Sequence, residues 1–223
     1  MKVIKPTYEI LTPISEGGIQ ELMFIEKIGR VCYKSEDKIT SDGESAKKFV
    51  KMLINHGHEA MIEHSTLSVM FTIDRGVSHE AVRHRLSSFA QESTRYVNYS
   101  KDKFGSEICV IDLEGGMLLD KKMSQMDADV LGSIYSEWLL AMSDAEQHYM
   151  NMIELGATPQ IARSVLPNST RTALTITANY REWRNIFRLR TALDAHPQIR
   201  EVMTPLLQEL KEKIPIIFDD IEI

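Results

Sequence analysis

The chain has 223 residues and a mass of 25.5 kDa, long enough to bury one substantial core. Its 43% hydrophobic and 26% charged residues are ordinary for a globular protein and exclude a disordered one. A net charge of −6 excludes a general nucleic-acid binder, which needs a basic surface.

In chain order, residues 3–11 read as a short strand, and Gly17 and Gly18 open a helix over 19–33 with Leu22, Ile25, Gly29 and Cys32 on its packed face. A second helix spans 45–56, with Ala46, Phe49, Val50 and Leu53 along one side. Residues 67–74 alternate apolar and polar as a half-buried strand does. Gly76 breaks this strand, and Ser78 is placed to cap a helix over 79–86. A strand over 107–113 leads to a turn at Glu114-Gly115-Gly116 and then to a long helix over 124–155 with no Lys or Arg, which reads as architectural. Thr158-Pro159 starts a short helix carrying Arg163. Residues 169–178 alternate as a strand, Asn179 caps a helix to Leu193, and Pro197 starts a last helix to Lys213. Strands and helices without strict alternation give an α+β fold, a single domain over 1–223 with a mostly antiparallel central sheet flanked by helices.

Of the 12 arginines, 11 lie in segments 75–95 and 163–200, which contain no lysine. Arginine without lysine points to bidentate recognition of planar or anionic ligand groups rather than to solubility. The two cysteines, Cys32 and Cys109, read as buried thiols of a reducing compartment. The first residues lack the apolar run of a signal peptide and no segment is apolar enough to span a membrane, so a cytoplasmic protein is expected. The run His56-Gly-His58-Glu59-Ala60-Met-Ile-Glu63-His64 is the best metal-site candidate, although its spacing is not that of an HExxH helix.

The densest grouping is Arg83-His84-Arg85, followed after seven residues by Ser93 and then Arg95. Arg-His-Arg alone could be a solvated face at a helix end. The full spacing is far more specific, and a set of rigid forks and short-range donors suits an anionic, polar ligand. This pattern resembles the signature of the flavin-dependent thymidylate synthases, as do Arg75–Glu80 and Gln91–Tyr96 around it, and the likeness extends from Arg30 to Arg200.

The resemblance implies reductive methylation of dUMP to dTMP, with FAD as cofactor and NADPH and 5,10-methylenetetrahydrofolate as co-substrates. It implies no metal, no nucleic-acid or membrane partner, and a homotetramer with active sites shared between subunits. Carried over by position, the dUMP contacts are Glu80, Ala81, Val82, Arg83, Gln91, Glu92, Ser93, Thr94, Arg95, Arg163 and Arg190. The FAD contacts are His58, Ala60, Arg83, His84, Arg85, Gln91, Asn179, Tyr180, Arg181 and Asn185. The family's Gly-His-Glu and Glu-His segment, here within 57–64, lies beside flavin and folate, and the end of the first helix, including Arg30, lies near the flavin. Arg190 matches the arginine that polarises the uracil, and is the catalytic expectation; by spacing alone it would be a helix-surface salt bridge. Arg181 and Asn185 share a helix face, whereas Arg190 lies nine residues beyond Arg181, on roughly the opposite side. Glu80 stands where many members carry glutamine, an acid that needs a compensating charge such as Arg83 or Arg95, and Asp194 stands where some carry histidine. A metal-dependent phosphohydrolase using residues 56–64 and a nucleic-acid module using Arg83–Arg95 are the rival classes.

Overall fold

The computed structural model describes residues 1–101 and 105–222. Pro6, which offers no backbone N–H, falls where the expected first strand splits into β1 (Lys2–Ile4) and β2 (Thr7–Ile10). Helix α1 (Ile19–Val31) buries Leu22, Ile25 and Gly29, and packs on α2 (Glu44–Asn55). Gly29 is required there, because a Cβ would come within 2.6 Å of the Phe49 ring. Cys32, expected to be buried, is instead exposed just past the end of α1.

After a 3-10 segment over Glu59–His64, strand β3 (Thr66–Asp74) buries Leu67, Val69, Phe71 and Ile73 in strict alternation. Helix α3 (Arg75–Ala81) starts earlier than expected. Asp74, not Ser78, is its cap, the carboxylate accepting from the Val77 amide at 2.6 Å. Ser78 lies within the helix and donates to the Arg75 carbonyl, and Gly76 is absorbed in the first turn rather than breaking the chain. An unexpected strand, β4 (Ser88–Gln91), sits inside the arginine-rich stretch.

Strand β5 (Cys109–Ile111) is shorter than expected. The Gly115-Gly116 pair is not a turn but part of α4 (Glu114–Leu119). The long helix α5 (Ala128–Glu154) is capped by Asp127 and begins after a separate 3-10 turn at Met123–Gln125. The chain continues through α6 (Pro159–Ala162), β6 (Arg171–Asn179), α7 (Tyr180–Arg190), α8 (Pro197–Lys213) and α9 (Pro215–Phe218). A Cβ on Gly115 would meet the Glu201 carboxylate of α8, and one on Gly116 would meet Gln198, so both glycines permit the close approach of α4 to α8.

The main sheet is antiparallel in the order β2-β3-β6-β4, and a parallel β1-β5 pair joins it through the Val110–Thr170 bridge. This is the expected α+β architecture. The β3–β6 register pairs Thr66 with Asn179 and Asp74 with Arg171, so α3 and α7 leave the sheet at opposite ends. One sheet face packs with α7 and α8 in the main core, where the Trp183 indole donates to the Leu67 carbonyl at 2.9 Å. A smaller cluster gathers Tyr99, Ile108, Val110, Met142, Tyr149 and Ala162 beneath α5. Most of α5 faces outward in this chain, with Val130 and Leu140 exposed.

Candidate active site

The arrangement of α7 follows from its cap. Asn179 accepts from the Glu182 amide at 2.8 Å, which satisfies an otherwise orphaned donor and starts the helix at Tyr180. Trp183, Ile186 and Phe187 are buried, so Arg181, Asn185 and Arg188 point outward while the last residue, Arg190, reaches across to α3.

Arg190 is held on all three nitrogens. Its Nε donates to Nε2 of His84 at 2.9 Å, Nη1 to the Glu80 carboxylate at 3.1 Å, and Nη2 to the Glu80 carbonyl at 3.2 Å. Glu80 therefore finds its compensating charge in Arg190, not in Arg83 or Arg95, because Arg190 is the guanidinium that α7 brings against the end of α3. Among the described residues the second N–H of each terminal nitrogen has no partner, which leaves two donors on a guanidinium already held in place. His84 is buried in the loop after α3, and burial followed by the charge of Arg190 lowers its pKa from 6.5 to about 4. On its other side, Nδ1 stands 3.5 Å from the buried carboxylate of Glu182. His84 thus connects the two faces of α7.

Beside this network lies a cavity of about 600 Å³ lined by Glu59, Glu63, Leu86, Asn179, Arg181, Glu182, Asn185 and Arg188. Arg181 pairs with Glu63 at 2.5 Å, while Glu59 is 3.0 Å from Arg184 and 3.6 Å from Arg188. Arg184 is itself buried and makes a bidentate pair with Asp220 at 2.6 and 2.7 Å. The carboxylates of the 56–64 segment are therefore counter-ions to arginines. Among the described residues no group of three His, Cys, Asp or Glu side chains is gathered as metal ligands would be. His58 and Ala60 are exposed along the same segment, and Arg83 and Arg85 are exposed in the loop carrying His84.

The second half of the signature lies elsewhere in the chain. Gln91 donates to Ser78 at 2.8 Å and to Thr172 at 3.3 Å, and Glu92 pairs with Arg171. The Ser93 hydroxyl accepts from the Arg95 amide at 3.3 Å, and buried Thr94 accepts from Arg163 at 3.4 Å. Arg163, Thr94, Arg75 and His79 line a cavity of about 450 Å³. Among the described residues no hydrogen bond or ion pair joins this group to Arg190. Ala81 and Tyr180 are buried in the core, Tyr180 against Phe218, so their backbones alone can face a ligand; Val82 is partly buried. Asp194 is exposed after α7. Glu182 escaped the sequence reading, since an acid in the first turn of a helix is explained by the helix dipole alone.

Residues 20–216 match the family described as thymidylate synthase complementing protein. The chain belongs to this family. Flavin-dependent thymidylate synthases are among its relatives: one from Corynebacterium aurimucosum is 32% identical over 94% of this chain and 84% of its own. Another, from Mycobacterium sp. (strain KMS), is 32% identical over 94% of this chain and 82% of its own. The fold matches a crystal structure of the UMP/dUMP methylase PolB from Streptomyces cacaoi bound with 5-Br dUMP, with a TM-score of 0.78 and 23% identity over 98% of this chain and 96% of that one. The two arginine groups of this chain sit at the ends of strands β3 and β6, each nine residues long.

Proposed function

We propose that the chain is a flavin-dependent thymidylate synthase acting as one domain over residues 1–223, converting dUMP to dTMP with 5,10-methylenetetrahydrofolate as one-carbon donor. The observation that supports it best is Arg190, fixed by His84 and Glu80 with N–H groups left to donate, beside a polar cavity that carries Arg181 and Arg188. Two N–H donors fit the edge of a uracil whose ring nitrogen has ionised, where the oxygen and the bare nitrogen beside it both accept. As C5 of dUMP becomes nucleophilic, negative charge spreads onto that edge, and a guanidinium already in place stabilises it without reorganising. The methylene carbon bonds to C5 as its bonds to the two folate nitrogens break and tetrahydrofolate leaves, the C5 proton is lost, and a hydride from the reduced flavin would complete the methyl group.

The 600 Å³ cavity fits FAD in its chemistry: Arg181 and Arg188 suit a pyrophosphate, Asn179 and Asn185 offer amides, and the exposed side chain of Leu86 offers apolar surface to a ring. Bound there, reduced FAD would supply the hydride, and NADPH would re-reduce the oxidised flavin. His58, Ala60, Arg83, His84, Arg85 and Gln91 complete the flavin set, with the backbone of Tyr180. For dUMP, Ser93, Thr94, Arg95 and Arg163 hold the phosphate, with Gln91 and Glu92 beside them and Glu80, the backbones of Ala81 and Val82, and Arg83 near the base. A cysteine nucleophile is unsuited: Cys32 is exposed outside both cavities, and burial raises the Cys109 thiol, which favours its unreactive form.

Among the described residues no hydrogen bond joins the group proposed for the phosphate to Arg190, and a homotetramer with sites shared between subunits would add a second chain's residues to it, with the exposed apolar positions of α5 available for contact. Its partners are small molecules, with neither nucleic acid nor membrane, and it works in the cytoplasm; among the described residues no helix is long and apolar enough to cross a membrane. The test is a visible spectrum of the purified protein with FAD and then dUMP, followed by assay of dTMP. A flavin spectrum that dUMP perturbs, with dTMP formed, is expected; a protein that takes up no FAD overturns the reading. A stable, active monomer by light scattering overturns the shared site.

A further inference from the structure

We propose that Glu182 is a positioning residue for Arg190, acting through the tautomer of His84; the proposal rests on the reading of Arg190 as the group that faces the substrate. Arginine has only donors, so the 2.9 Å contact from its Nε requires a bare lone pair on Nε2 of His84. The neutral imidazole has one proton, which must then sit on Nδ1. That atom faces Oε1 of Glu182 at 3.5 Å, with the two side chains only 6% and 7% exposed. Among the described residues, the other hydrogen bonds to the Glu182 carboxylate are long ones from the Asn185 amide, 3.4 Å to each oxygen. A negative oxygen beside Nδ1 favours the proton there, and with it the acceptor at Nε2.

The alternative tautomer would set the N–H of His84 against the N–H of Arg190. Two donors at that separation repel, and the guanidinium would turn away from Glu80 and lose its orientation. Burial and the neighbouring Arg190 keep His84 neutral at physiological pH, since its pKa is lowered to about 4, so the choice between tautomers is the one that matters. Glu182 and Arg190 belong to one helix, whose start is fixed by the Asn179 cap on the Glu182 amide. The carboxylate and the guanidinium it orients are therefore parts of one rigid element, with His84 wedged between them.

Nitrogen-15 spectra of histidine-labelled protein read the tautomer directly, with His84→Gln to assign the signal. The wild type is expected to carry its proton on Nδ1. Glu182→Gln retains an acceptor oxygen and should keep that tautomer. Glu182→Leu should give a mixture and lower kcat for dTMP about tenfold, the loss of the oxygen that orients His84 at Nδ1, with flavin still bound. A proton on Nε2 in the wild type overturns the proposal with no variant needed. Wild-type tautomer or undiminished kcat in a folded Glu182→Leu overturns it as well. A wild type that forms no dTMP overturns the functional reading instead, and the spectra still report the tautomer.

Discussion

Arg190 donates to both the side chain and the main chain of Glu80, at 3.1 and 3.2 Å, so one residue at the end of α3 holds two of the three guanidinium nitrogens. That fork is a geometric requirement as much as a charge. Arg190→Ala should retain flavin, because the arginines lining the cavity are untouched, and should lose most dTMP formation, on the order of a hundredfold or more in kcat. Arg190→Lys should recover little, since an ammonium cannot meet His84, Glu80 and substrate in one plane. Single-turnover measurement of dTMP with flavin-loaded enzyme decides; unchanged turnover in Arg190→Ala removes the residue from catalysis.

Glu80 places a carboxylate beside the site proposed for an anionic nucleotide. Glu80→Gln keeps an acceptor for Arg190 and removes that charge. The dUMP dissociation constant should fall by about threefold to tenfold at low salt, and the gain should shrink as salt screens it. Flavin-absorbance titrations at two ionic strengths measure both effects. Weaker binding in the glutamine variant would show that the carboxylate serves the nucleotide rather than Arg190.

His84 gives the fold an acid limit. Its folded pKa of about 4 lies below its ordinary 6.5, so between those values the unfolded chain takes up a proton that the folded protein refuses. The stability it contributes is present above about 6.5 and is lost as pH falls through about 4. Urea midpoints measured from pH 7 to pH 4 should drop, and the drop should be shallower in His84→Gln.

Strands β3 and β6 were legible because every second residue, from Leu67 to Ile73 and from Thr172 to Ala178, is buried against one core. The cap at Asn179 and the Pro197 start of α8 were legible for the same kind of reason, a local rule with a local cause. What escaped depended on distant partners. Gly115-Gly116 has the composition of a turn, yet stands in a helix because Gln198 and Glu201 approach from α8. Strand β4 is only four residues long and exists through its pairing with β6. Arg190 was singled out by resemblance, but its attachment to Glu80 and the burial of Arg184 between Glu59 and Asp220 needed those distant partners in place.

Glu201 offers a test of opposite sign to that of His84. It lies where α8 meets α4, its Oε2 is buried without a hydrogen-bond partner among the described residues, and burial, then Asp112, raises its pKa from 4.5 to about 7. Lys5 draws it down and Asp74 adds to the rise. The folded protein therefore holds a proton that the unfolded chain gives up between those values, so this contribution is present at about 4.5 and is lost as pH rises through about 7. Glu201→Gln replaces the carboxyl with a neutral group of the same size. Because the side chain is only partly enclosed, the gain should be about 1 kcal/mol at pH 8 and should vanish near pH 5. Urea midpoints at the two pH values measure it. Equal midpoints for wild type and variant at pH 8 would mean that Glu201 ionises there without cost, its second oxygen reached by water.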